Sequence, residues 1–269
     1  MSRAISVAFL TVLTGVALTD AGAQERPFHF PVPPLDAVRL TKAVAYTRVD
    51  TTTLAMDVYQ PKHVPSSAPA LVFYGFYWPE SNDRPPREVN DQAIRWARIV
   101  ASRGIVAVIP DLRAEPGTGT AQSPTRARKG ELEQLLAHLN QHAGEYGIDA
   151  RRITLFAASG SVAAALPAIV DPQRTEIRAA VLYYGGAGAD VATFRPDVSI
   201  LWVRAGRDSP GMNSAIDRLT SRAVAQNVPL TLINYASGHH GFEAVDDSAA
   251  TRQVIEQTIG FVKGVTPRE

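Results

Sequence analysis

Three short stretches carry side chains that could do covalent chemistry. The first is Ala157-Ala158-Ser159-Gly160-Ser161, which follows the apolar run Ile153 to Phe156 and precedes a helical pattern of small residues. A serine on a sharp strand-to-helix turn needs small neighbours two positions away on each side, because larger side chains would clash there. The turn strains the serine backbone and lifts its hydroxyl above the sheet, and the helix behind aims its positive end at the same spot. Ala157 and Ser161 stand where glycines are usual, but both are small. Ser159 as a plain helix cap is the competing reading, and Ser161 is a competing nucleophile one step inside the helix.

The second stretch is Ile200 to Ala205 running into Gly206-Arg207-Asp208. A carboxylate on a turn at a strand end can orient a histidine ring, although Asp is also a common helix cap. The third is Leu230 to Tyr235, which leads into Ala236-Ser237-Gly238-His239-His240-Gly241-Phe242. A histidine beyond a last strand can act as the base, and two adjacent histidines leave open which one does so. A metal reading is weak, since adjacent side chains diverge and no Asp/Glu cluster nearby has ligand spacing. Each signal is modest alone. Together, a serine, an acid and a histidine in that chain order, each beyond a different strand, specify nucleophilic acyl transfer.

The elements that must position these residues alternate. Val44 to Arg48 and Leu54 to Tyr59 alternate apolar and polar residues as strands do, and the compact runs Ala70 to Tyr74, Ile105 to Ile109 and Ala179 to Tyr184 fit strands buried on both faces. Between them lie helical patterns over 90–102, 131–142 and from about 161, with later ones at roughly 212–226 and 248–262. Such alternation predicts an α/β fold with a mainly parallel central sheet, helices on both faces and no large cap domain. Such sheets bind ligands beyond the carboxyl ends of their strands, where all three stretches fall.

The 269 residues suit one large domain, and 45% hydrophobic content permits a sizeable core. A net charge of +1 with no long basic block argues against a nucleic-acid partner. The short basic stretch Arg126, Arg128, Lys129 reads as a solvated loop or helix entrance. The chain has no cysteine, which excludes a thiol nucleophile, a Cys-ligated zinc site and a redox role. Arg3, the apolar run Ile5 to Leu18 and the small-x-small site Ala21-Gly22-Ala23 read as an export signal over 1–23, with Gln24 as the mature start and a periplasmic or secreted location. The run is short against the roughly 20 residues of a membrane-spanning helix, so no stable span is expected after cleavage. A proline-rich extended arm is expected over 24–41 and the folded domain over 42–269.

Several stretches resemble the α/β-hydrolase superfamily, in its dienelactone-hydrolase-like and small carboxylesterase branches. Leu54-Ala55-Met56-Asp57-Val58-Tyr59-Gln60-Pro61 is similar to their early Asp-Val-Tyr-x-Pro strand, and Gly104 to Arg113 to their strand entering Pro-Asp-x-Arg. Tyr146 to Ile153 resembles the approach to the nucleophile, and His240-Gly241-Phe242 matches their His-Gly-Phe, which favours His240 over His239. The resemblance implies a serine hydrolase for small-molecule esters with Ser159, Asp208 and His240 as catalytic residues, no cofactor and no metal. Two departures stand out. Dienelactone hydrolases proper use cysteine where this chain has Ser159, and Tyr74-Gly75-Phe76-Tyr77-Trp78 replaces the esterases' His-Gly-Gly-Gly stretch. By alignment, the backbone N–H groups of Gly160 and of Phe76, with Tyr77 as the alternative to Phe76, are expected to form the oxyanion hole, and Tyr74, Tyr77, Trp78 and His239 are pocket candidates. A peptidase or amidase using the same triad, and a non-catalytic binding protein on the same scaffold, are the rival readings. Asp111 and Arg113 are expected to form a structural ion pair, and Asp246 and Asp247 to lie at the N-cap of the last helix.

Overall fold

The computed structural model describes residues 27–63, 67–74, 77–78, 90–113, 130–186 and 190–266. The expected signal segment, Phe76 and the basic stretch at 126–129 lie outside them. An eight-stranded sheet organises the chain. Strands β1 (Val38–Val49) and β2 (Thr52–Pro61) form an antiparallel hairpin, and β2 runs antiparallel to β5 (Val106–Pro110). From β5 onward all pairings are parallel, through β3 (Ala68–Phe73), β7 (Ile148–Ala158), β8 (Ile177–Tyr183), β9 (Ser199–Ala205) and β10 (Leu230–Tyr235). Two short strands, β4 (Tyr77–Trp78) and β6 (Leu112–Arg113), pair beside the main sheet.

Helices cover both faces because the central strands are apolar on both sides. Helices α1 (Asp91–Ser102) and α7 (Ala249–Gly264) pack on one face, around Trp96, Phe73, Phe156 and Tyr183. Helices α2 (Glu131–Gln141), α4 (Gly160–Val170) and α5 (Pro210–Ala225) pack on the other, around Leu135, Leu155 and Trp202. Two single-turn helices, α3 (Ala143–Tyr146) and α6 (Phe242–Val245), adjoin them. Among the described residues no helix is long and apolar enough to cross a membrane.

Three expectations are corrected here. The first strand starts at Val38, inside the expected arm, and the arm is packed down: Phe30 is buried, Phe28 meets Trp96 edge-on, and Arg98 donates to the Pro33 carbonyl. Arg113 pairs with Glu131 at 2.7 Å, which takes the place of the expected Asp111–Arg113 ion pair, while the Asp111 carboxylate accepts from the Ala55 N–H. The N-cap of α7 is Ser248, whose hydroxyl accepts from the Thr251 N–H, which leaves Asp246 for another task.

Candidate active site

Ser159 sits between the end of β7 and the start of α4 with φ 56° and ψ −133°. A non-glycine residue in that region is strained, and such strain persists only where the surroundings enforce it. Its N–H donates to the Tyr183 carbonyl, fastening the turn to the next strand. Ser159 precedes the helix, but its side chain makes no capping hydrogen bond, and Ser161 is buried. The turn fits because residue 185, just past β8, is glycine. A Cβ there would lie 2.2 Å from the Ser159 carbonyl oxygen and 2.4 Å from a Val162 methyl. The Trp202 indole N–H holds that glycine by donating to its carbonyl at 3.0 Å.

Asp208 leaves the end of β9 on a turn closed by its N–H to the Ala205 carbonyl. The cap of α5 is Ser209, so the Asp208 carboxylate is free of that duty. One carboxylate oxygen accepts from the Ser209 N–H at 2.6 Å, and the other faces His240. Gly206 lets the β9 and β10 ends approach, since a Cβ there would lie 2.2 Å from the Ala236 carbonyl oxygen.

His240 joins the two. Its Nδ1 lies 2.6 Å from Asp208 Oδ2 and its Nε2 2.8 Å from Ser159 Oγ. A carboxylate only accepts, so Nδ1 carries the proton and donates to Asp208, and Nε2 is left as acceptor for the serine O–H. The Asp208 side chain is 7% exposed and that of His240 42%, so the ring has an open side while its orienting charge is shielded. The arrangement is a hydroxyl, an imidazole and a carboxylate hydrogen-bonded in series, the geometry that nucleophilic acyl transfer requires.

No family model matches the chain, and no curated protein matches it in sequence. Solved structures do match. A thermophilic esterase of the planctomycete Thermogutta terrifontis superposes with a TM-score of 0.61 at 17% identity, over 87% of this chain and 94% of its own. The same Thermogutta esterase is known phosphoramylated by tabun and with butyrate bound. An α/β-hydrolase enzyme from a Medee basin deep-sea metagenome library gives a TM-score of 0.60 at 14% identity, over 85% and 98% of the two chains. This chain has the α/β-hydrolase fold.

Within that fold the other candidate residues fall in different places. Gly160 opens α4, where the first N–H groups of a helix lack intrahelical partners. Tyr74 follows β3 and is buried in the hydrophobic core. Tyr77 and Trp78 form β4, beside β6. His239 has its own partner, Asp246, which accepts from the ring Nδ1 at 2.6 Å and from the backbone N–H at 2.7 Å. Both line an open cleft of about 510 Å³ with Arg207, Asp208 and His240.

Sequence reasoning missed a layer beneath the imidazole. The Tyr184 ring lies 4.7 Å from that of His240, centroid to centroid. Its hydroxyl donates to the carboxylate of Glu243 at 2.7 Å, and Gln92 donates to the same carboxylate oxygen at 2.7 Å. Burial pushes the Glu243 carboxyl above its ordinary range. The only sequence hints were the glycine pair after Tyr184 and an acidic residue directly after His-Gly-Phe.

Proposed function

We propose that this chain is an exported serine hydrolase that cleaves carboxylic esters of small molecules through an acyl-enzyme intermediate. The observation that carries the reading is one imidazole bridging a strained serine at 2.8 Å and a shielded carboxylate at 2.6 Å. His240 Nε2 takes the Ser159 proton as Oγ forms a bond to the ester carbonyl carbon. Asp208 holds the tautomer and stabilises the resulting imidazolium. The carbonyl oxygen becomes an oxyanion at the amino end of α4, where the Gly160 N–H is one donor; the family resemblance assigns the second to Phe76, which lies outside the described residues. As the tetrahedral centre collapses, its bond to the leaving oxygen breaks and His240 returns the proton to the departing alcohol. Water then repeats the attack on the acyl group, releases the acid and restores Ser159.

The esters are favoured over amides by the neighbours: the Thermogutta protein is an esterase with a butyrate-bound form and a tabun adduct, the outcome expected of an activated nucleophile. Export is supported by the residues at 1–23.

The test is turnover of p-nitrophenyl acetate and butyrate beside a matched anilide, by wild type and Ser159→Ala. Ester turnover by wild type should fall by about 10³-fold or more in the variant, the scale on which triad members act. An organophosphonate should add a single adduct to wild type and none to the variant. Activity unchanged in Ser159→Ala would remove the nucleophile. Faster anilide cleavage would move the assignment to a peptidase or amidase, and absence of both turnover and adduct would make the chain a binding protein.

A further inference from the structure

Two in-plane hydrogen bonds hold His240 at Nδ1 and Nε2, and they leave its ring plane free to tilt about the line joining those atoms. Something must support a face of the ring. Tyr184 is the neighbour placed to do so, at 4.7 Å and an interplanar angle of 57°. It is 2% exposed and follows the last residue of β8 with φ 33°, an unusual backbone for a bulky residue. The glycine after it is the one pressed against the Ser159 carbonyl. The strand end that shapes the nucleophile turn therefore also delivers the ring beneath the base.

The Tyr184 hydroxyl joins a buried polar cluster. It donates to Glu243 Oε1 at 2.7 Å, and the Gln92 amide donates to both the Tyr184 oxygen at 3.0 Å and Glu243 Oε1 at 2.7 Å. Glu243 is wholly buried, three residues past His240 on α6, and its own carbonyl accepts from the His29 N–H of the arm. Burying a carboxyl among apolar rings costs stability unless hydrogen bonds compensate, and here the Tyr184 hydroxyl and the Gln92 amide supply two.

We propose that Tyr184, tethered by Glu243 and Gln92, is a positioning residue that fixes the tilt of His240 and presents an aromatic face to the imidazolium formed during acyl transfer. The inference rests on His240 being the base. A cation over an aromatic face within about 6 Å is stabilised by the ring quadrupole, and here the cation exists only when His240 holds the proton. Among the described residues, the titratable and charged groups around the imidazole are Asp208 from the end of β9, Ser159 from the turn after β7, Tyr184, Glu243 behind it, and Arg207 on the wall of the same cleft. His239 and Asp246 nearby are paired with each other. Burial holds the Tyr184 phenol protonated, so its ring acts as a neutral face.

The experiment pairs steady-state ester kinetics with an NMR titration of the His240 imidazole. Tyr184→Leu should lower kcat about tenfold with KM within twofold, and lower the His240 pKa by about half a unit, the size of a weakly shielded cation–π contact. Glu243→Ala should lower kcat similarly, and Glu243→Gln, which keeps a carbonyl acceptor for the phenol, should recover most of that loss. Tyr184→Phe keeps the volume and folds even where Tyr184→Leu does not; its untethered ring should cost about threefold in kcat alone. A folded Tyr184→Leu with unchanged kcat and unchanged His240 pKa overturns the proposal. So does Tyr184→Phe with wild-type kcat, or Glu243→Gln as damaged as Glu243→Ala. Loss of the esterase reading is seen separately, as turnover surviving in Ser159→Ala, while the NMR shift is read without any substrate.

Discussion

Two imidazole–carboxylate pairs stand side by side on one loop, and they differ in everything except their length. His240 meets Asp208 and His239 meets Asp246, each through Nδ1 at 2.6 Å. The first pair has a strained serine at its far nitrogen and an aromatic ring beneath it. The second has its carboxylate turned to a structural task, since Asp246 also accepts the His239 backbone N–H and so ties the loop to the segment after α6. An acid beside a histidine is therefore no sign of a base. What sets the proposed base apart is the third group, the Ser159 hydroxyl, and that group is supplied by a different strand end.

The comparison is broken most directly by exchanging the roles. His240→Ala should lower kcat for a short ester by about 10³-fold or more, because without a base the serine proton has no acceptor. His239→Ala should change it by less than about threefold. Equal losses would mean that the two pairs share the chemistry and that the geometry around Ser159 has been misread.

Asp246 sharpens the contrast at a smaller scale. Replacing it with alanine removes an acceptor from one backbone N–H and one ring nitrogen, for which about 1–2 kcal/mol of stability is a reasonable scale. The loop carrying His240 should loosen, with kcat falling several-fold and the Tm falling with it. Asp208→Asn should do the reverse, leaving Tm almost unmoved while costing kcat orders of magnitude through the wrong tautomer. Thermal melts and kinetics on the two variants separate a carboxylate that holds a loop from one that holds a proton.

How much of this was legible in the sequence follows from how local each signal is. Buried runs such as Ile153 to Phe156 and Ile200 to Ala205 announce strands, and the residues after them fall where the parallel sheet must present them. The start of β1 is hidden because it is an edge strand, with Arg39, Thr41 and Lys42 facing outward and reading like a loop. The first half of β7 is hidden in the same way by Asp149, Arg151 and Arg152, although Asp149 is held locally by Arg151. Nothing in the neighbourhood of His239 and His240 ranks one above the other; the family-like His-Gly-Phe did that. The support beneath His240 was invisible because Gln92, Tyr184 and Glu243 meet from three distant segments, and none is unusual in its own stretch.

That support also carries a pH dependence of its own, which the His239 pair lacks a buried carboxyl to supply, and it is the smallest effect expected here. Burial raises the Glu243 carboxyl above its ordinary value of 4.5, so the folded chain holds this proton more tightly than the unfolded chain does. The stability it contributes is then complete below about pH 4.5 and is lost as pH rises through the elevated value, the opposite of an ordinary salt-bridged carboxylate. Glu243→Gln cannot ionise and escapes that loss. Its Tm relative to wild type should therefore rise as pH increases above 4.5 and level off once the elevated value is passed, by a few degrees at most. Parallel melts of wild type and Glu243→Gln over a series of pH values check the sign, and a difference that falls with pH would place the buried carboxylate in its charged form beneath the imidazole.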